Sequence, residues 1–190
     1  MLFFTLLVMT LTISSDLVEA KKSKFKTTWR DCGSDDAIVR FRNIGLEDVV
    51  RIGKTTPVKV SLNATQSAEV PADSQVNIKI KKILNIFGNK LPVVVPCING
   101  IGSCEASLCD IFKIHKKLVC TILEAAGHDC NCPSAPGVYN AADINYQLPF
   151  TLIPTAILSL GNGDYTLDME ITHNNKQIAC LAMTVVVKFV

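Results

Sequence analysis

The chain has 190 residues, 48% of them apolar, which is enough to close a core and too much for a disordered or fibrous chain. Its formal charge is +2 and it has no long basic run, which argues against a nucleic-acid binder. The eight cysteines read as a disulfide framework if the chain is exported and as metal or redox chemistry if it is not. The N-terminus favours export. Twelve residues from Leu2 to Ile13 are apolar apart from threonines, and Val18 and Ala20 stand at the spacing a signal peptidase accepts. That pattern predicts a signal peptide over residues 1–20 and a single domain over residues 21–190. Twelve helical residues rise about 18 Å, short of the roughly 30 Å of a bilayer core. No later apolar run reaches eighteen residues, so the mature chain is expected to be soluble and in the secretory pathway. Removing Asp16 and Glu19 with the leader raises its charge to +4. A mildly basic exported protein can approach an anionic membrane surface.

After the basic leader Lys21–Lys26, strands are predicted over Thr27–Cys32 and Ile38–Leu46. Val58, Val60 and Leu62 alternate with Lys59 and Ser61, and Val76, Ile78 and Ile80 alternate with Asn77, Lys79 and Lys81. Both runs have one apolar and one polar face, as half-buried antiparallel strands do. Between them lies the sequon Asn63-Ala64-Thr65, a candidate glycosylation site at Asn63 that suits the secretory route. A strand over Val93–Cys97 precedes the exception, Glu105–Ala126, where apolar residues recur every three or four positions up to Gly127. This spacing predicts one amphipathic helix stopped by the glycine. Strands over Ile144–Leu148, Tyr165–Thr172 and Gln177–Phe189 complete about eight, with turns at Gly161-Asn162-Gly163 and Asn174-Asn175. The predicted fold is all-β, an antiparallel two-sheet sandwich or cup with one short helical segment.

Six cysteines, at 97, 104, 109, 120, 130 and 132, lie close together, while Cys32 and Cys180 stand alone near the ends. Parity pairs the two outliers, closing a loop of about 150 residues worth about 4–5 kcal/mol in the chain-entropy model. Cys97 and Cys104 flank a glycine-rich turn that can bring them together. Cys130 and Cys132 are too close for an unstrained bond, so each takes a partner from Cys109 and Cys120, in an order that spacing leaves open. The pattern has no CxxC pair for a metal, and no cofactor is expected. A hydrolase motif is also missing: none of GxSxG, HExxH or a glycine-rich phosphate loop occurs. His115, His128 and His173 read as solvated residues.

Thr28-Trp29-Arg30-Asp31-Cys32, Pro96-Cys97, Ile101-Gly102-Ser103-Cys104 with Cys109-Asp110, Cys130-Asn131-Cys132-Pro133 leading to Gly137-Val138-Tyr139, and Gly163-Asp164-Tyr165 before Cys180 together resemble the lysosomal ganglioside activator family, within the lipid-recognition (ML) group. The resemblance spans nearly all of residues 27–190. It implies a β-cup, two antiparallel sheets around an apolar lipid cavity, with four disulfides: Cys32–Cys180, Cys97–Cys104, Cys109–Cys132 and Cys120–Cys130. The implied function is non-enzymatic: extracting a glycolipid from a membrane, in the lysosome or outside the cell, and presenting it to a β-hexosaminidase. Drawing out a chain of about 16 carbons costs about 13 kcal/mol at roughly 0.8 kcal/mol per methylene, so a carrier must offer an apolar space of similar quality. Two apolar loops are candidates for dipping into the membrane at the mouth: Ile83, Leu84, Ile86 and Phe87 before Gly88, and Ile153, Ala156, Ile157, Leu158 and Leu160 before Gly161. The family carries tryptophans in its mouth loops, whereas the only tryptophan here, Trp29, is in the first predicted strand. The other function the sequence admits is a secreted lipid or sterol carrier, or a lipid-recognition interaction protein, without glycosidase activation.

Overall fold

The computed structural model describes residues 26–53, 56–147 and 153–190, so the predicted signal peptide lies outside the described residues. The larger sheet is built on β5 (Gln75–Ile86), β9 (Gly163–His173) and β10 (Lys176–Phe189). Antiparallel register sets Ile78 opposite Met169 and Ile80 opposite Leu167 on β9, which in turn face Leu181 and Met183 on β10. Directly opposed residues share a face, so the alternation seen in β5 extends across three strands as one apolar surface. The other face carries Asn77, Lys79 and Lys81 against Glu170, Asp168 and Thr166.

β1 (Thr28–Asp31) extends this sheet beyond β10, and β6 (Asn89–Val94) pairs with β5 to form the far edge, with Pro92 opposite Ile83. β3 (Val50–Ile52) runs parallel to the end of β10, and β7 (Glu105–Ser107) pairs with the start of β5. The smaller sheet has the order β2 (Val39–Leu46), β4 (Val58–Gln66), β8 (Gly137–Tyr146). Its apolar face presents Val60, Leu62 and Ala64 beside Ile144, Ala141 and Tyr139. Two antiparallel sheets, with apolar faces turned inward and polar faces outward, make the sandwich the sequence predicts.

Three expectations are corrected. The helix expected over Glu105–Ala126 is divided: Glu105–Ser107 is strand, followed by α1 (Leu108–Ile114) and α2 (Lys116–Ala125). Ser107 caps α1, its hydroxyl accepting from the Asp110 amide at 3.3 Å, so the helix cannot begin earlier. His115, at φ −104° and ψ 22°, breaks the run, and Gly127, at φ 79°, follows its end. The strand expected over Val93–Cys97 runs instead from Asn89 to Val94, because a two-residue turn at Phe87-Gly88 returns the chain directly from β5. β8 begins at Gly137, seven residues before the expected Ile144, and ends at Tyr146; Leu148 lies outside the described residues. The described strands number ten, not eight.

The sheets touch along β1, β3 and β10 against β2 and β4, while α2 packs on β8. Asp31 pins this junction. One carboxylate oxygen accepts from the Gly33 amide and the other from the Phe41 amide, both at 2.7 Å, and Arg40 Nε lies 3.2 Å away. At the same closed end Cys32 bonds Cys180, joining β1 to β10 across 148 residues. Cys97 bonds Cys104, Cys109 bonds Cys132 and Cys120 bonds Cys130, so each helix is tied to the segment before β8.

Candidate functional site

The inner faces of the two sheets do not merge into one core. One buried cluster joins Ala64 and Tyr139 of the smaller sheet to Leu123 of α2, and a second joins Ala141, Ile144 and Tyr146 to Leu118 and Ile122. The third belongs to the larger sheet, where Val95, Ile157 and Tyr165 pack with Ile80 and Val185. Among the described residues no cluster contains side chains of both sheets. Ile78, Leu167, Met169 and Met183, central on the apolar face of the larger sheet, are accordingly only half-buried. In a closed sandwich such positions interdigitate with the facing sheet. Trp29, opposite Met183 on β1, shares this inner side.

The open end lies where β5 runs past the start of β9, since Ile83 is opposite Asp164 and the hairpin continues beyond it. Phe87, at the tip, is 101% exposed, with Ile86 at 43%, Leu91 at 50% and Val94 at 58%. Phe87 also has φ 50°, the left-handed region that two-residue hairpin turns require and that disfavours bulky side chains. A large aromatic held there in full contact with solvent is a functional signal.

The nine membrane-loop candidates are therefore divided. Ile83 and Leu84 are half-buried strand residues of β5, and only Ile86 and Phe87 protrude. The second loop folds inward as a short helix, α3 (Thr155–Leu158): Ile157 is buried against Val95 and Tyr165, Ile153 and Leu160 pack on the same cluster, and Leu158 is half-buried. Leu91 escaped the sequence reading because no strand is predicted over its residues, and Val94 because the predicted strand Val93–Cys97 is not paired there with the segment before Gly88.

Lys82 also escaped it. It follows Val76, Ile78 and Ile80 on the inward side of β5 and is 7% exposed. Its Nζ donates to the backbone carbonyls of Leu160, Gly161 at 3.2 Å and Asn162 at 3.1 Å, and lies 5.6 Å from the Tyr165 ring centroid. Tyr165 Oη donates to the same Gly161 carbonyl at 2.6 Å. Burial holds the Lys82 ammonium below its ordinary pKa and pushes the Tyr165 phenol up. The signal in the sequence was a lysine at the next inward step of an alternating strand.

Exposed charge is unevenly distributed along the cup. Arg51, Lys59, Lys90 and Lys188 stand toward the open end, where Asp48 and Asp143 are exposed acids. Asp35, Asp36, Glu69, Asp73, Glu105 and Glu170 stand toward the closed end together with the bases Arg30 and Lys176, the latter paired with Asp36. Two of the histidines serve as local props: His115 Nε2 is 3.0 Å from the Gly100 carbonyl, and His128 stacks on Tyr139 at 4.1 Å. His173 lies 3.4 Å from Asp73 in the turns of the closed end.

The ML domain family profile matches residues 26–187. The chain belongs to the ML-domain family. Two sheets with apolar faces kept apart are what a lipid-recognition domain needs, so the fold and the family agree on a lipid-binding protein. Among solved structures, a Niemann-Pick type C2 protein from Japanese carpenter ant is similar at 18% identity. The alignment covers 85% of this chain and 99% of that one, with a TM-score of 0.39. That likeness decides nothing about what either protein binds. No curated protein sequence matches this ML-domain chain.

Proposed function

We propose that this ML-domain protein is a non-enzymatic carrier that lifts a glycolipid from a membrane, shelters its acyl chains between the sheets and presents its sugar to a lysosomal glycosidase of the β-hexosaminidase type. The observation that carries the reading is the half-buried middle of the larger sheet, where Ile78, Leu167, Met169 and Met183 offer apolar wall that, among the described residues, belongs to no buried cluster shared with the facing sheet. The exposed tip of the β5–β6 hairpin supports membrane contact, since about 0.8 kcal/mol accompanies each methylene buried in lipid. Bases around the open end favour an anionic surface. Residues 1–20 act as the export signal and residues 21–190 as one domain. Asn63 is the glycosylation site: it is in register with Asn43 and Asn140 on the outward face of the smaller sheet, where a glycan leaves the cup free.

The test is incubation of the secreted protein with glycolipid-bearing vesicles, followed by native mass spectrometry, organic extraction and an assay with β-hexosaminidase. One lipid retained per chain, no turnover alone and faster hydrolysis when the chain is added is the expected result. Retained lipid without stimulation would replace the activator by a plain lipid or sterol carrier. An empty chain that takes no lipid would overturn the carrier reading.

A further inference from the structure

The outer face of the larger sheet is polar where β1, β10 and β9 run side by side. Thr28, Thr184 and Thr166 form one row across these strands, and Arg30, Ala182 and Asp168 form the next. Thr28, Arg30 and Asp168 are exposed, and the short side chains of β10 between them leave a hollow of about 270 Å³. Arg30 and Asp168 stand two strands apart, about 10 Å. Among the described residues neither takes part in an ion pair, although Lys79 is directly opposite Asp168 on β5. Charge here is thus ordered by strand: basic on β1, absent on β10 at Ala182 and Thr184, acidic on β9.

A surface whose charge changes sign about a central line is complementary to itself. A two-fold axis laid along the strands over β10 sets β1 of one copy against β9 of the other. Each Arg30 then meets the partner's Asp168, and threonine meets threonine. At the roughly 10 Å spacing of packed sheets these two charged side chains reach each other, while Ala182 at the axis lets the backbones approach. Other two-fold placements fail on charge. An axis across the strands at this row opposes Arg30 to Arg30 and Asp168 to Asp168, and one over β9 opposes Asp168 to itself. Lys188, exposed and four residues beyond Thr184, marks where the contact ends, since there the copies present like charge.

We propose that two copies of this chain associate back to back through β1, β10 and β9, with Arg30 of each paired to Asp168 of the other. The axis follows the strands, and the strands run between closed and open ends, so both open ends face the same way. Two exposed Phe87 tips then stand on one side of the dimer and engage one membrane together, which raises avidity without a new kind of contact. The pairing depends on the sheet alone, whereas its use at a membrane rests on the lipid-carrier reading. The sequon at Asn63 is on the outer face of the other sheet, clear of this contact.

The experiment is sedimentation equilibrium of the disulfide-bonded protein from micromolar to millimolar concentration, with Arg30→Asp and Asp168→Arg measured alone and mixed. The wild type is expected to dimerise within this range. Each variant alone brings like charges together and should weaken the dimer about tenfold. Their equimolar mixture should restore it, because in the mixed pair each acid again faces a base. Pairing of Arg30 with Asp168 inside one chain would give no such rescue. A wild type that stays monomeric overturns the proposal, as does a dimer unmoved by the single variants or one that the mixture fails to restore. Should either charge variant not fold, Thr184→Arg at the axis is an independent disruption, and a dimer that survives it overturns the proposal equally. Wild type should also bind phosphatidylcholine vesicles about tenfold more tightly than either single variant, whose charge changes are opposite in sign. Equal binding would overturn the shared orientation of the open ends. If no form binds vesicles, the carrier reading falls and the membrane role with it, while the dimer stands or falls by sedimentation.

Discussion

Asp31 gathers four residues' worth of constraint into one carboxylate. The strand that holds it belongs to the larger sheet, the Phe41 amide it accepts from belongs to the smaller, and Arg40 neutralises it at 3.2 Å. Asp31→Asn keeps the shape but turns one acceptor into a donor that faces a backbone N–H. The variant should lose about 2–3 kcal/mol in urea unfolding, from one unsatisfied donor and a weakened charged hydrogen bond. Asp36 acts differently, being exposed. Its hydrogen bonds to Lys176 and Ser34 lower its pKa from 3.8 to about 2. A depressed carboxylate contributes its stability above its unfolded pKa and loses it as pH falls through the folded one. The tie between the 34–37 turn and β10 should therefore persist through the acidic range of a lysosome and fail only toward about pH 2. A carboxyl NMR titration showing Asp36 protonated near pH 4 would contradict this.

At the scale of elements, the two apolar segments of the open end are physically distinct and should respond in opposite ways to the same chemistry. Phe87→Asp with Leu91→Asp places charge on exposed positions: vesicle binding should drop, while the melting temperature changes little. Ile157→Asp places a carboxylate in the cluster with Val95 and Tyr165 and should cost about 3 kcal/mol or more. Local pattern alone cannot separate these cases, because what buries Ile157 is Val95, just after β6, and Tyr165 of β9 rather than its own segment. The same limit explains where the reading of the sequence stopped. The alternation at Val58–Leu62 and Val76–Ile80 revealed β4 and β5. β3 has only three residues, and β6 contains Asn89, Lys90 and Pro92, so neither shows a period to detect. Leu108, Ile111 and Phe112 start a helical spacing directly after Ser107, which hid a strand as short as β7. Lys82 was missed because a lysine reads as outward by its type, although the alternation of Val76, Ile78 and Ile80 carries position 82 inward, beside Tyr165 in the register.

For the molecule as a whole, the sheets are held together mostly on one side and at one end. The Asp31 pin and the Cys32–Cys180 bond lie at the closed end, and the helices, tied by two further disulfides, stand beside β8. A cup of this kind depends on its closed end, since among the described residues no buried cluster joins the facing apolar surfaces. Cys32→Ser, made together with Cys180→Ser, should cost about 4 kcal/mol, close to the chain-entropy value for so long a loop, and a loss near zero would mean that the pairing of β1 with β10 within the larger sheet holds without it. The overall architecture was legible because it is written in two-residue alternation and cysteine count. The separation of the inner surfaces was not, because it depends on which side chains fail to meet.

Pro92 bears on a different hazard. In a hairpin closed by a two-residue turn, the flanking pair Ile86 and Asn89 is hydrogen-bonded and the pattern alternates, so the nitrogen of Pro92, opposite Ile83, points away from β5. There it removes a donor from the unpaired border of the larger sheet. A foreign strand seeking to template on that border, as in the growth of cross-β fibres, meets a gap in the ladder beside the very residues, Leu91 and Val94, that would make the border sticky. The chain can thus hold a greasy fingertip in water without polymerising through it.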